Sequence, residues 1–228
     1  MSEPDREKQL ARMLEAIRED ARCTAGATGR AVFSERVMAA MREVPRDEFV
    51  PEELRPYAFE NRPLPIGDGQ TISQPYIVAL MSDLLETEPD QTILEIGTGC
   101  GYQAAVLAEL VARVYSVEIV ENLQRQAEER LRRLGYRNVT TRHGDGYQGW
   151  PEHAPFDGII ITAATPEIPP PLIDQLRPGG RLVAPVGPRF GSQNLVVVEK
   201  DPEQRISTRN VLPVTFVPLT RMRQDRTT

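Results

Sequence analysis

Sulfur ligands and imidazoles are scarce in this chain: its 228 residues include two cysteines, Cys23 and Cys100, and two histidines. Two thiols so differently placed make no disulfide framework, and neither residue type falls at metal-ligand spacing, so we expect no metal and a reducing cytoplasm. No run reaches the ~18 apolar residues of a membrane span. The opening "MSEPDREKQLARMLEAIRED" is charged throughout, without the apolar centre of a signal peptide. We therefore expect an unprocessed protein with no membrane partner. A basic excess is missing too: 27 Lys and Arg stand against 33 Asp and Glu, interspersed, for a net charge of −6. Such a surface gathers no phosphates, so nucleic acid is not an expected partner.

What is present is enough chain for one substantial α/β domain with additions, and neither repeats nor low-complexity segments occur. We expect a monomer. Leu10, Met13, Leu14, Ile17 and Ala21 recur at helical spacing, predicting a helix over residues 4–22 that "CTAGATGR" breaks. A second helix is expected over 32–43, stopped by Pro45, with Val37, Met41 and Val44 on its inner face. The next stretch, "VPRDEFVPEELRPYAFENRPLPIG", carries five prolines and reads as irregular chain.

From Tyr76 onward, elements alternate. A helix over 76–85 precedes strands at 92–97, 113–118, 138–145, 156–164 and 180–187, with helices at 102–111, 121–135 and 170–176 between them. This alternation predicts a doubly wound, mostly parallel sheet. Runs at 193–201 and 210–219 with no helix between them predict an antiparallel C-terminal edge. Spacing leaves the order of these last strands open. The expected division is 1–75 as N-terminal helices and a covering segment, 76–220 as the ligand-binding domain, and 221–228 as a polar tail.

"LEIGTGCGY" puts Gly97, Gly99 and Gly101 where the first of these strands turns into its helix, at the sheet's carboxyl edge. A nicotinamide fingerprint needs a third small residue where Tyr102 stands, which weakens the dinucleotide reading. Glu118 ends the next strand 21 residues after Gly97, near the ~20-residue offset at which a carboxylate accepts from ribose hydroxyls, although a solvated strand end explains it equally well. Asp145 and Gly146, in "GDGYQGW", follow the third strand. There an aspartate can accept from an adenine amino group, or simply make an Asp-Gly turn. Three sites after three successive strands favour an adenosyl ligand.

The pattern Glu95-x-Gly97-x-Gly99-x-Gly101 resembles the first motif of S-adenosylmethionine-dependent methyltransferases, and "TAATPEIPP" lacks the tetrad that resembles base-modifying enzymes. More specifically, "VPRDEFVP", "GDGQTISQPY", "ILEIGTGCGYQAAVLA", "GDGYQGW" and "FVPL" together resemble the protein-L-isoaspartate O-methyltransferase family, from about Met38 to Thr220. Thr165 stands where that family commonly continues with proline. The resemblance implies a Rossmann-like methyltransferase fold and S-adenosyl-L-methionine as cofactor, with S-adenosyl-L-homocysteine as product and no metal. It implies isoaspartyl proteins and peptides as partners, methylated on the α-carboxylate to start repair through a succinimide. Cofactor contacts would come from Thr71, Ile72, Ser73, Gly97, Gly99, Gly101, Glu118, Asp145, Gly146 and Thr220. The family's active-site serine falls on Ser73.

Read from the residues alone, Ser73 equally suits an N-cap for the helix that contains Pro75, and so does Thr71. Two other readings stay open: a small-molecule O-methyltransferase of the same fold, and a non-enzymatic adenosyl-ligand sensor. Cys100, with no histidine near it in sequence, reads as a packed residue. The N-terminal helix is expected to pack through its apolar stripe without adding reactive groups.

Overall fold

The computed structural model describes residues 3–189 and 191–221; part of the expected polar tail, 222–228, lies outside them. Helix α1 runs Glu3–Thr28, past the break expected at Cys23. Two hydroxyls carry it on: Thr24 Oγ1 donates to the Asp20 carbonyl at 2.8 Å and Thr28 Oγ1 to the Thr24 carbonyl at 3.2 Å. Each thus satisfies itself on the preceding turn instead of breaking the helix. Gly29, at φ +71°, then ends it with its N–H on the Ala25 carbonyl.

Helix α2, Glu35–Glu43, starts three residues later than periodicity predicts, because Ser34 caps it by accepting from Val37 N–H. The proline-rich stretch is not irregular throughout. It holds two 3₁₀ turns, Arg46–Phe49 and Glu52–Tyr57. A hairpin follows, made of β1, Leu64–Gly67, and β2, Gln70–Ile72. Its turn residues, Asp68 at φ +50° and Gly69 at φ +70°, suit the left-handed pair of a two-residue hairpin loop. Helix α3, Pro75–Leu84, is buried on every side.

Then come β3, Thr92–Ile96; α4, Tyr102–Ala108; β4, Arg113–Glu118; α5, Glu121–Arg133; and β5, Val139–His143. The chain continues with β6, Phe156–Ile161; α6, Pro170–Gln175; β7, Leu176–Val186; β8, Gln193–Lys200; and β9, Ile206–Val214. The seven-stranded sheet has the order β5-β4-β3-β6-β7-β8-β9, parallel as far as β7 and antiparallel beyond it. Strand order reverses between β3 and β6, which makes their carboxyl ends the switch point where such sheets bind ligands. The side-chain alternation of β3 sends Ile93 to one core and Leu94 and Ile96 to the other. Helix α1 shares the first of these cores through Met13, Leu14, Ile17 and Ala21.

The last strand ends at Val214, short of the expected 219. Phe216 N–H turns to the side chain of Gln193. The chain then crosses to β6, where Ala164 N–H donates to the Val217 carbonyl and Leu219 N–H to the Ala164 carbonyl, both at 2.7 Å. Pro213 and Pro218 have no N–H to give a ladder, which suits a chain leaving the sheet here. The detour carries residues 217–220 onto the switch point. Thr165 is held by its own backbone, its N–H donating to the Pro185 carbonyl at 3.1 Å, a bond that proline there would lack.

Candidate active site

Two clefts meet at the switch point. The first is lined by Gln70, Thr71, Gly97, Gly99, Glu118, Gly146 and Thr220, between the apolar walls Ile96, Val117, Ile119 and Leu219. The second, about 510 Å³, is lined by Ser73, Gln74, Tyr76 and residues 212–217, with Asp20 and Thr24 of α1. A smaller space beside the glycine loop touches Thr71, Ile72, Ser73 and Tyr102. Thr71 and Thr162 line all three.

The three glycines do not act alike. A side chain on Gly97, at φ +99°, would start 2.4 Å from Thr162 Oγ1, so only glycine fits. Gly101, expected at the ligand, lies off the cleft walls; a Cβ there would touch Leu131 and Ala127, so its smallness seats α5 against the loop. The three glycine amides are also committed within the protein: Gly97 N–H to Val117 O, Gly101 N–H to Thr98 O, and Gly99 N–H to Glu118 Oε2 at 2.8 Å. What these glycines give a ligand is therefore space, not N–H donors.

Glu118 is 6% exposed and also accepts from Val120 N–H at 2.9 Å through Oε1. Two backbone bonds leave about two of a carboxylate's four acceptor positions toward the cleft, the number a cis-diol requires. Beneath the loop, Glu95 is fully buried; Ser116 donates to its Oε2 while Oε1 has no hydrogen-bond partner among the described residues. Burial first, and then the charge of Glu118, push its pKa from 4.5 to about 8, against the lowering effect of the Ser116 bond. Burial thus favours the neutral form of Glu95 at pH 7.

Asp145 accepts from Tyr147 N–H at 3.0 Å as the cap of a short 3₁₀ turn. It is not among the residues lining either cleft, whereas its neighbour Gly146 is. A Cβ on Gly146 would stand 2.4 Å from the Ile96 side chain, so the close approach of chain to cleft there requires glycine.

The hairpin closes the first cleft from the opposite side. Asn122 on α5 donates to Asp68 at its tip, and Ile66 packs over Gly99. The Gly67-Asp68-Gly69 turn is therefore clasped against α5. Ser73 follows β2 directly. The N-cap of α3 is Gln74, without a side-chain cap bond, so neither Ser73 nor Thr71 caps that helix. No other described residue engages the Ser73 hydroxyl, which borders the second cleft and the space beside the glycine loop.

Two contributions escaped the sequence reading. Thr162 donates to the Gly97 carbonyl at 2.6 Å, yet only the adjacency of β3 and β6 reveals it, and strand order is not written in spacing. Helix α1 forms part of the second cleft. Asp20 accepts from Asn61 and Gln74, and the Thr24 and Tyr76 hydroxyls lie 2.6 Å apart. Cys100 is buried, and burial raises its thiol pKa, consistent with a packed residue and not a nucleophile. Among the described residues no cluster of His, Cys, Asp or Glu could hold a metal ion, and no helix is long and apolar enough to cross a membrane.

The solved structure of a protein-L-isoaspartate O-methyltransferase matches with a TM-score of 0.77 at 29% identity, over 93% of this chain; the chain spans 65% of that protein's length. A Plasmodium falciparum protein solved in complex with S-adenosyl-L-homocysteine shares the fold, with a TM-score of 0.71 at 24% identity over 90% of this chain and 97% of its own. A protein-L-isoaspartate O-methyltransferase from Syntrophobacter fumaroxidans is 61% identical over 92% of this chain and 85% of its own length. One from a Polaromonas species is 58% identical over 92% of this chain and 100% of its own length. The family model for Protein-L-isoaspartate(D-aspartate) O-methyltransferase matches residues 24–224, and on this agreement of sequence, fold and cleft the chain belongs to that family.

Proposed function

We propose that the first cleft takes S-adenosyl-L-methionine, that the second takes an extended peptide bearing an L-isoaspartyl residue, and that a methyl group passes to its α-carboxylate where the two meet. The observation that carries this is the uncommitted Ser73 hydroxyl beside that junction, between spaces that share Thr71 and Thr162. The residues suit an adenosyl cofactor: Glu118 has acceptor capacity for a diol, Gly97 and Gly146 leave no room for side chains, and the walls are apolar. In this reading Ile72 backs the wall beside the loop, Thr220 stands at the rim, and Asp145 and Gly101 act through Gly146 and α5 without touching the ligand. Residues 1–75 form the covering segment and 76–220 the methyltransferase domain, which also lends Tyr76 and residues 212–217 to the second cleft.

When bound, the cofactor supplies an electrophilic methyl group on a sulfonium. The acceptor carboxylate, with an ordinary pKa near ~4, is already ionised at neutral pH, so no base is required. The protein's task is alignment, because holding both reactants at near-attack distance can remove several kcal/mol of barrier. Ser73 donates one hydrogen bond that orients the carboxylate. A stronger anion clamp would slow transfer, since charge is neutralised as the ester forms.

Membership in a family named for protein isoaspartate favours a peptide over a small-molecule acceptor, and a free hydroxyl at the junction favours an enzyme over a sensor. Two unpaired cysteines favour the cytoplasm, and the net charge of −6 disfavours nucleic acid. The test offers labelled cofactor with paired peptides that differ only in isoaspartyl or aspartyl linkage. Base-labile label in the isoaspartyl peptide alone is expected; equal labelling of both, or none, would refute the reading.

A further inference from the structure

Arg46 is among the largest fully buried side chains of the described residues, at 0% exposure, yet none of its hydrogen bonds is to a carboxylate. Its Nε donates to the Ala58 carbonyl at 2.8 Å. One terminal nitrogen donates to the Ser73 carbonyl at 2.8 Å and, at 3.5 Å, to that of Arg62, while the other makes no hydrogen bond of good geometry among the described residues. The guanidinium lies 4.8 Å from the ring centroid of Tyr102, which packs edge-on against Phe49. Tyr102 is itself 1% exposed and borders the space beside the glycine loop.

A buried cation without a counter-ion is unfavourable, and an apolar residue of similar volume often serves stability as well or better. Folding alone therefore does not account for an arginine here. What the guanidinium does hold is chain: Ala58 and Arg62 lead into β1, and Ser73 follows β2. A planar fork on a short, packed stem fixes those carbonyls with an angular definition that a lysine ammonium lacks.

We propose that Arg46 is a positioning residue for the methyl transfer, fixing the backbone at Ser73 so that its hydroxyl meets the substrate carboxylate in line with the donor methyl. Arg46 touches neither reactant and works through Ser73. This rests on the reaction proposed above. Because alignment is felt in the transition state, loosening Ser73 lowers kcat, while the Glu118 side of the cleft, built on other strands, keeps its cofactor affinity.

The test is a double-mutant cycle over wild type, Arg46→Lys, Ser73→Ala and the pair, read by single-turnover methyl transfer to an isoaspartyl peptide, with cofactor affinity by calorimetry and folding by circular dichroism. Arg46→Lys is expected to lower kcat severalfold, up to the roughly tenfold effect of losing the hydroxyl itself, and to change cofactor affinity less than about twofold. In the Ser73→Ala background the same change should lower kcat less than about twofold, because the hydroxyl it aims is gone. If Arg46→Lys does not fold, Arg46→Gln, neutral and free of the desolvation cost of a charge, carries the same cycle. Equal losses in both backgrounds, or an unchanged kcat in a folded Arg46 variant, overturn the positioning role alone. Failure of the wild type to methylate the isoaspartyl peptide overturns the reaction and this role with it.

Discussion

The two clefts are built in opposite ways. On the proposed assignment, the cofactor side draws on the ends of successive strands, β3, β4 and β5, and its parts are short motifs at fixed spacing: a glycine loop, then Glu118, then Gly146. The peptide side is gathered from α1, the β1–β2 hairpin, α3 and residues 212–217, joined by long-range contacts such as Thr24 to Tyr76 and Asp20 to Gln74. A motif read along the chain finds the first kind of site and only grazes the second. The same difference shapes their energetics. The cofactor side depends on close approach and committed backbone bonds, so it should tolerate substitution poorly. The peptide side depends on a few side-chain bonds and should yield in smaller steps.

The largest expected effect falls on the cofactor side. Gly97→Ala places a Cβ 2.4 Å from Thr162 Oγ1 at a φ of +99°, and should weaken S-adenosylmethionine binding by about 3 kcal/mol or more. Calorimetry on the folded variant would break the comparison if affinity were unchanged.

Glu118→Ala comes next, with about 1.5–3 kcal/mol lost from cofactor binding. It also orphans Gly99 and Val120 N–H, so thermal stability should drop as well, which a purely ligand-facing carboxylate would not cause.

Crossing to the peptide side, Ser73→Ala should lower kcat for an isoaspartyl peptide by roughly tenfold, equivalent to about 1.4 kcal/mol, while its melting temperature stays close to that of wild type, because Ser73 caps no helix. A large stability loss with unchanged turnover would reverse that assignment.

Glu95→Gln sharpens the contrast through pH. The folded pKa of about 8 lies above the ordinary 4.5, so wild-type stability declines as pH rises from 4.5 to 8 and levels off beyond. The amide keeps an acceptor for Ser116 and does not titrate. Its advantage over wild type should therefore be small at pH 5 and grow by on the order of 4 kcal/mol by pH 8.5, as read by thermal unfolding. A constant difference across that range would mean that Glu95 is ionised in the fold.

The smallest effect is expected from Thr24→Val, which removes one hydroxyl partner of Tyr76 for about 1 kcal/mol of stability and should raise the peptide KM a few fold without touching cofactor affinity. An unchanged KM would confine α1 to a packing role.

Sequence by itself determined what is local or periodic. The apolar stripe of α1, the alternation of strands and helices, the tight turn at Gly97 and the strand-end position of Glu118 each depend on neighbours within a few residues, and hydrophobic spacing records such neighbours. Element ends were less legible, because hydroxyls at Thr24 and Thr28 and a cap at Ser34 outweigh propensity by one or two bonds. Only the tertiary structure decided the rest. Strand order put Thr162 beside Gly97, and the chain beyond Val214 left the sheet to reach Ala164. Gly101 turned out to seat a helix, and the Asp68-Gly69 turn to clasp α5. These outcomes depend on which distant segments share a face, a choice made by burial of the whole core, and no spacing along the chain encodes it.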